Sequence, residues 1–188
     1  MIKLLGISGS LRRGSFNTLA LQAMALQLPE GVSLEIRTLH GIPLYDADVE
    51  ASAGIPAPVT ALKELVAAAD GVILATPEYN NGIPGVFKNA VDWLSRPPAD
   101  VKRVFSARPF ALLGASPGGF GTILSQAAWL PVLRTLGTEP WFGGRLMLSR
   151  ANTLFDSGGK LTDTATQEQL RQFVLGFSEF VRRHSASH

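Results

Sequence analysis

Hydrophobic positions along this chain follow two alternating periods. Continuous apolar runs at residues 2–7, 71–76 and 110–115 read as strands buried on both faces. Residues 32–39 alternate apolar and polar side chains, the mark of a half-buried edge strand, and residues 145–148 form a weaker fifth run. Helical spacing fills the intervals. It covers residues 18–28, stopped by Pro29, then 59–69, with Leu62, Leu65 and Val66 on one face, and 86–94, with Val86, Ala90, Val91 and Leu94. It returns at residues 123–136, which must accommodate Pro131, and at 163–183, where Leu170, Phe173, Val174, Phe177 and Val181 make one stripe. The Pro/Ala/Gly-rich stretch from 41 to 58 reads as a long loop. This alternation predicts one doubly wound α/β domain over residues 1–188, a parallel sheet of five strands covered by helices on both faces.

In such sheets ligands lie beyond the carboxyl ends of the strands. Three loops sit at those ends and carry unusual chemistry: residues 8–17, 76–85 and 116–121. The first contains Gly9, Ser10, Leu11, Arg12, Arg13, Gly14, Ser15, Phe16 and Asn17 between a strand and a helix. Backbone N–H groups and hydroxyls there can converge on an anion, and the helix start adds unpaired donors and partial positive charge. The spacing of Gly9 and Gly14 imitates a P-loop, but Ser15 and Phe16 stand where the phosphate-binding Lys and the magnesium-binding hydroxyl belong. A terminal monophosphate suits this loop better than a triphosphate. Ser10, Ser15 and Asn17 are its expected side-chain donors, with Arg12 as the charge partner. The plain alternative is a strand–helix turn capped by Ser15.

The second loop runs Thr76-Pro77-Glu78-Tyr79-Asn80-Asn81-Gly82-Ile83-Pro84-Gly85. Its prolines fix φ and its glycines permit left-handed turns, so it is stiff and suits the polar edge of a flat heterocycle. Tyr79 offers an aromatic surface and Asn80 a donor or acceptor, while Glu78 either accepts from a ring N–H or anchors the loop. The third loop matches the G-x-S-x-G nucleophile elbow at Gly114-Ala115-Ser116-Pro117-Gly118, but Pro117 has no N–H to give an oxyanion hole. Nor are histidines placed for a triad: His40 precedes the serine, and His184 and His188 lie at the tail. Gly118, Gly119 and Gly121 make better sense as room for a ligand.

Composition narrows the classes. A chain of 188 residues, 46% hydrophobic, is long enough for a sizeable core. A net charge of +2, with no basic block, argues against nucleic acid and acidic membrane surfaces. The absence of cysteine removes thiol nucleophiles, disulfides and thiolate metal sites. No run is long enough to span a bilayer, and the first residues lack a signal-peptide core, so a cytoplasmic location is expected.

Together, Gly9-Ser10-Leu11-Arg12-Arg13-Gly14-Ser15-Phe16-Asn17, Thr76-Pro77-Glu78-Tyr79-Asn80 and Pro84-Gly85-Val86-Phe87-Lys88-Asn89-Ala90-Val91-Asp92-Trp93 resemble the NAD(P)H-dependent FMN reductases. This flavodoxin-like group, of three α/β/α layers, includes bacterial quinone and chromate reductases. The resemblance extends to Ile42-Pro43-Leu44-Tyr45-Asp46 and Gly114-Ala115-Ser116. It implies FMN bound by its phosphate to residues 10–17, with the ring system against Pro77, Glu78, Tyr79 and Asn80 and the pocket completed by Ser116. It implies NADPH or NADH as hydride donor and a quinone, azo dye or metal oxyanion as acceptor. The flavin carries the chemistry, so no catalytic side chain and no metal are expected. A homodimer is implied, with a tetramer possible. Leu124 and Ala127, however, stand where the family carries an arginine and a tyrosine in contacts between dimers. The alternative is a flavodoxin-type FMN electron carrier without NAD(P)H oxidation. Such carriers are strongly acidic, and their phosphate loops lack arginine.

Overall fold

The computed structural model describes residues 1–186, so His188 lies outside the described residues. In chain order the elements are β1 (Ile2–Ser8), α1 (Phe16–Ala25), β2 (Val32–Arg37), α2 (Ala47–Ala53), α3 (Ala57–Ala68), β3 (Gly71–Ala75) and α4 (Gly85–Leu94). They continue with α5 (Val101–Val104), β4 (Pro109–Ala115), α6 (Ile123–Thr135), β5 (Glu139–Pro140), β6 (Leu146–Leu148) and α7 (Thr164–Ala186). All strands pair in parallel in the order β2-β1-β3-β4-β5, with β6 also on β4. This is the flavodoxin-like arrangement.

Strand period explains the layers. Ile73 and Ala75 of β3, with Ala111, Leu113 and Ala115 of β4, point to one face and pack with Leu21 and Met24 of α1 and Leu170, Phe173, Val174 and Phe177 of α7. Val72, Leu74 and Phe110 point to the other face and pack with Val59, Leu62 and Val66 of α3, Phe87 and Trp93 of α4, and Trp129 and Leu133 of α6. The central strands β1, β3 and β4 are almost wholly buried, whereas β2 is half-buried with Glu35 and Arg37 exposed, as its alternation requires.

Several sequence expectations need correction. The first helix begins at Phe16 rather than 18, because Ser15 takes the N-cap position. Residues 38 and 39 leave β2, which ends at Arg37. The stretch 41–58 holds α2 and the start of α3. Asp46 caps α2 by accepting from the Asp48 N–H at 2.8 Å. The fifth lane of the sheet is shared by two segments, β5 beside the start of β4 and β6 beside its end. Pro131, by contrast, sits inside α6 as expected.

Candidate functional site

The chain passes from β1 to the edge strand β2 and then returns across β1 to β3. In sheets of this order such a reversal marks where ligands lie, beyond the carboxyl ends of β1 and β3, where the first and second loops rise. The third loop follows β4, next in the sheet.

The first loop is an array of idle donors. Gly9 N–H bonds to Ala75 O at 2.9 Å and Arg12 N–H to Ser10 Oγ at 3.2 Å. The amides of Ser10, Leu11, Arg13, Gly14, Phe16, Asn17 and Thr18 have no acceptor among the described residues. Ser15 is 2% exposed and occupies the N-cap, yet its hydroxyl makes no cap bond. The plain capping reading therefore fails on its own residue. A cluster of unpaired N–H groups and a spare hydroxyl at a helix start is what a phosphate requires, and a Cβ at Gly14 would meet only open space. The residues fit the phosphate of FMN.

Arg12 is folded into the loop. Its guanidinium donates to Gly14 O and lies 5.0 Å above the Phe16 ring, which stacks on Phe155. It brings cationic charge to the helix start in an ordered position. Arg13 is exposed. Asn17 departs from expectation. Its Nδ2 donates to Ala115 O at 3.0 Å and its Oδ1 accepts from Ala115 N at 2.9 Å, with the residue 3% exposed. Its side chain ties the first loop to the end of β4, and only its backbone N–H is left without a partner among the described residues. Gly9 serves packing: a Cβ there would lie 2.0 Å from Phe87 Cδ1.

The second loop closes as a tight turn. Tyr79 and Gly82 exchange both backbone hydrogen bonds, at 3.2 and 3.1 Å, across Asn80 (φ 50°) and Asn81 (φ 63°). Left-handed φ at both central positions is the type I′ pattern. The asparagines, and not the glycines of this loop, supply the left-handed conformation. The Tyr79 ring is half exposed and its hydroxyl lies 3.5 Å from Ser10 Oγ. Pro77 is buried, and its carbonyl accepts from Thr76 Oγ1 at 2.9 Å. Glu78 anchors the loop: its Oε2 accepts from Leu124 N at 2.8 Å and Ser125 N at 2.9 Å, at the start of α6. The residue that caps α6 thus comes from another loop, and Thr122 makes no side-chain cap bond.

In the third loop Ser116 Oγ donates to Gly121 O at 2.7 Å. Gly114 is where the loop folds over β3, since a Cβ there would lie 1.7 Å from Thr122 Oγ1 and 2.5 Å from Thr76 O. Thr76 Oγ1 also meets Ser125 Oγ at 2.8 Å and accepts from Trp129 Nε1 at 3.0 Å. The three loops are therefore braced against one another by Asn17–Ala115, Ser10–Tyr79 and Glu78–Leu124. Beside them, Pro43 O accepts from Asn89 Nδ2 and Trp93 Nε1, which fastens residues 42–46 to α4. Tyr45 donates to Glu50 at 3.0 Å, a bond that raises the phenol pKa. The Arg96 hydrogen bond holds the Glu50 carboxyl below its ordinary range against a smaller opposing cost of burial.

The sequence weighed His40 only for a triad, whereas in the structure its ring meets the first loop. Its Nε2 lies 3.1 Å from Leu11 O and its Nδ1 3.0 Å from Thr38 Oγ1. No local signal pointed there.

The family model for NADPH-dependent FMN reductase matches residues 2–153. The chain is 44% identical over 182 residues to the NAD(P)H-dependent FMN reductase PA1204 of Pseudomonas aeruginosa, covering 97% of this chain and 96% of that protein. It is 33% identical over 181 residues to a 2-hydroxy-1,4-benzoquinone reductase of a Burkholderia species, covering 96% and 97% respectively. Among solved structures, FerB, a flavoenzyme NAD(P)H:(acceptor) oxidoreductase from Paracoccus denitrificans, superposes with a TM-score of 0.82 at 33% identity, covering 98% of this chain and 99% of FerB.

Proposed function

Because the chain belongs to the NADPH-dependent FMN reductase family, we propose that it holds FMN across these three loops and uses NAD(P)H to reduce quinones. The observation that carries the binding assignment is the cluster of idle amides with the uncommitted Ser15 hydroxyl at the sheet's switch point. FMN, when bound, would supply the redox chemistry that carries reducing equivalents from NAD(P)H to the acceptor.

The chain's own residues do the binding and orienting. The free amides of Ser10, Leu11, Arg13, Gly14, Phe16 and Asn17, the Ser10 and Ser15 hydroxyls, and the Arg12 charge receive the phosphate. Pro77 and the rigid turn at Tyr79 and Asn80 set the wall for the ring system, with Glu78 holding that wall to α6. Ser116, whose hydroxyl donates its hydrogen bond to Gly121 O, keeps lone pairs that would accept from a ring N–H. A half-exposed Tyr79 leaves the approach open to a second flat molecule. Quinone as acceptor is supported by the 2-hydroxy-1,4-benzoquinone reductase and the quinone reductase of Escherichia coli, the latter 34% identical over 189 residues. Azo dyes and metal oxyanions are further acceptors to assay. A homodimer belongs to the same proposal, supported by the exposed Leu124 and Leu130 on α6. No helix among the described residues is long and apolar enough to cross a membrane, and a cytoplasmic location stays the expectation. The electron-carrier alternative draws no support: the net charge is +2 and the phosphate loop carries Arg12.

The test is an anaerobic absorption spectrum of purified protein supplied with FMN. Retained flavin bands should bleach with NADPH or NADH and return on adding benzoquinone. Protein that fails to retain FMN would overturn the proposal. Retained flavin that neither nucleotide bleaches would transfer it to the carrier class.

A further inference from the structure

We propose that His40 is a positioning residue for the flavin phosphate, acting through the Leu11–Arg12 peptide; this rests on the FMN reading of the site. His40 stands at the exit of β2, next to β1 in the sheet, and its ring spans from that exit to the phosphate loop. The backbone beneath it is set. Leu39 is buried, Ile42 N–H turns back to Leu39 O at 3.4 Å, and Gly41 takes φ +83°, as a tight turn with glycine at its third position requires.

The proton positions follow from the partners. A backbone carbonyl only accepts, so Nε2 carries the hydrogen given to Leu11 O at 3.1 Å. In the neutral ring Nδ1 then accepts from the Thr38 hydroxyl at 3.0 Å. Two bonds on opposite sides of the ring fix its tilt as well as its place.

The consequence lies on the far side of the peptide. In a planar trans peptide the C=O and the next N–H point in opposite directions. Holding Leu11 O toward His40 therefore turns the Arg12 N–H the other way, where Ser10 Oγ accepts it at 3.2 Å. That bond in turn orients the Ser10 hydroxyl, 3.5 Å from the Tyr79 hydroxyl. One imidazole thus sets the direction of an amide that in turn fixes the Ser10 hydroxyl on its way to the phosphate, without touching the ligand itself.

A role in phosphate positioning differs from a role in folding because it discriminates between two flavins. Apoprotein titrated with FMN and with riboflavin, followed by quenching of flavin fluorescence, separates them. His40→Ala is expected to weaken FMN by about 5- to 10-fold, the size of one lost hydrogen bond, and to leave riboflavin unchanged. His40→Gln, whose amide N–H reaches to the same carbonyl, should restore FMN affinity to within about threefold. Unchanged FMN affinity in His40→Ala, equal weakening of both flavins, or no rescue by Gln would each overturn the role. Wild-type protein that binds neither flavin would instead remove the FMN reading on which it depends.

Discussion

Replacing Asn17 by alanine separates two roles that the sequence alone merges. The side chain could serve the ligand, or it could hold the scaffold, and the structure assigns it to the scaffold. Its amide forms two bonds, 3.0 and 2.9 Å long, to the carbonyl and N–H of Ala115, both in the interior. Truncation removes two hydrogen bonds worth about 0.5–1.5 kcal/mol each and leaves a buried donor and acceptor of β4 unpaired, at about 1–3 kcal/mol apiece before water enters. Allowing for relaxation, the net loss should be about 2–4 kcal/mol, which for a chain of this size lowers Tm by roughly 5–15 °C. The assay is urea and thermal unfolding of the flavin-free protein, so that no ligand contributes. Asn17→Asp sharpens it: the carboxylate still accepts from Ala115 N–H but faces Ala115 O without a donor, so it should be no more stable than the alanine variant. An apoprotein unmoved by Asn17→Ala, combined with a fall in FMN affinity alone, would refute this reasoning and return Asn17 to the phosphate.

Arg12→Ala should weaken FMN retention by about 1–3 kcal/mol, the range for a charge-assisted bond, in titration of the apoprotein. Arg12→Lys should recover little of this, since an ammonium does not combine the Gly14 carbonyl bond with stacking on Phe16, and full recovery would contradict it. Glu78→Ala should cost about 1 kcal/mol of stability in urea unfolding, because it removes the acceptor for two amides at the start of α6. A stability change below about 0.3 kcal/mol would mean that solvent caps that helix equally well.

The central scaffold was legible because burial there follows period. Residues 2–7, 71–76 and 110–115 became strands within a residue or two, and the Phe173–Phe177 stripe became the inner face of α7. Helix α2 was not legible, since none of its residues is buried and no apolar stripe exists to read. The N-cap Asp46 was its one available sign. The segment β5 is two residues long, too short for any period. The comparisons bear out the flavin family and the fold that the loop motifs announced. Individual roles within the loops were harder to read, because they depend on long-range partners. Asn17 meets a residue 98 positions away, Glu78 one 46 away and His40 one 29 away, and no local pattern records such meetings.

The divided fifth lane of the sheet has a bearing on how the protein behaves in a crowded solution. A strand at a sheet margin invites another chain to zip onto its unpaired amides and carbonyls. Here β5 offers two residues, one of them Pro140 with no N–H, and the chain then leaves the ladder until β6 adds three more. On the opposite margin β2 carries Glu35 and Arg37, paired with each other at 2.5 Å, which an incoming strand would have to desolvate. With both flanks blunted, lateral recruitment into fibrils is disfavoured, whatever occupies the flavin site.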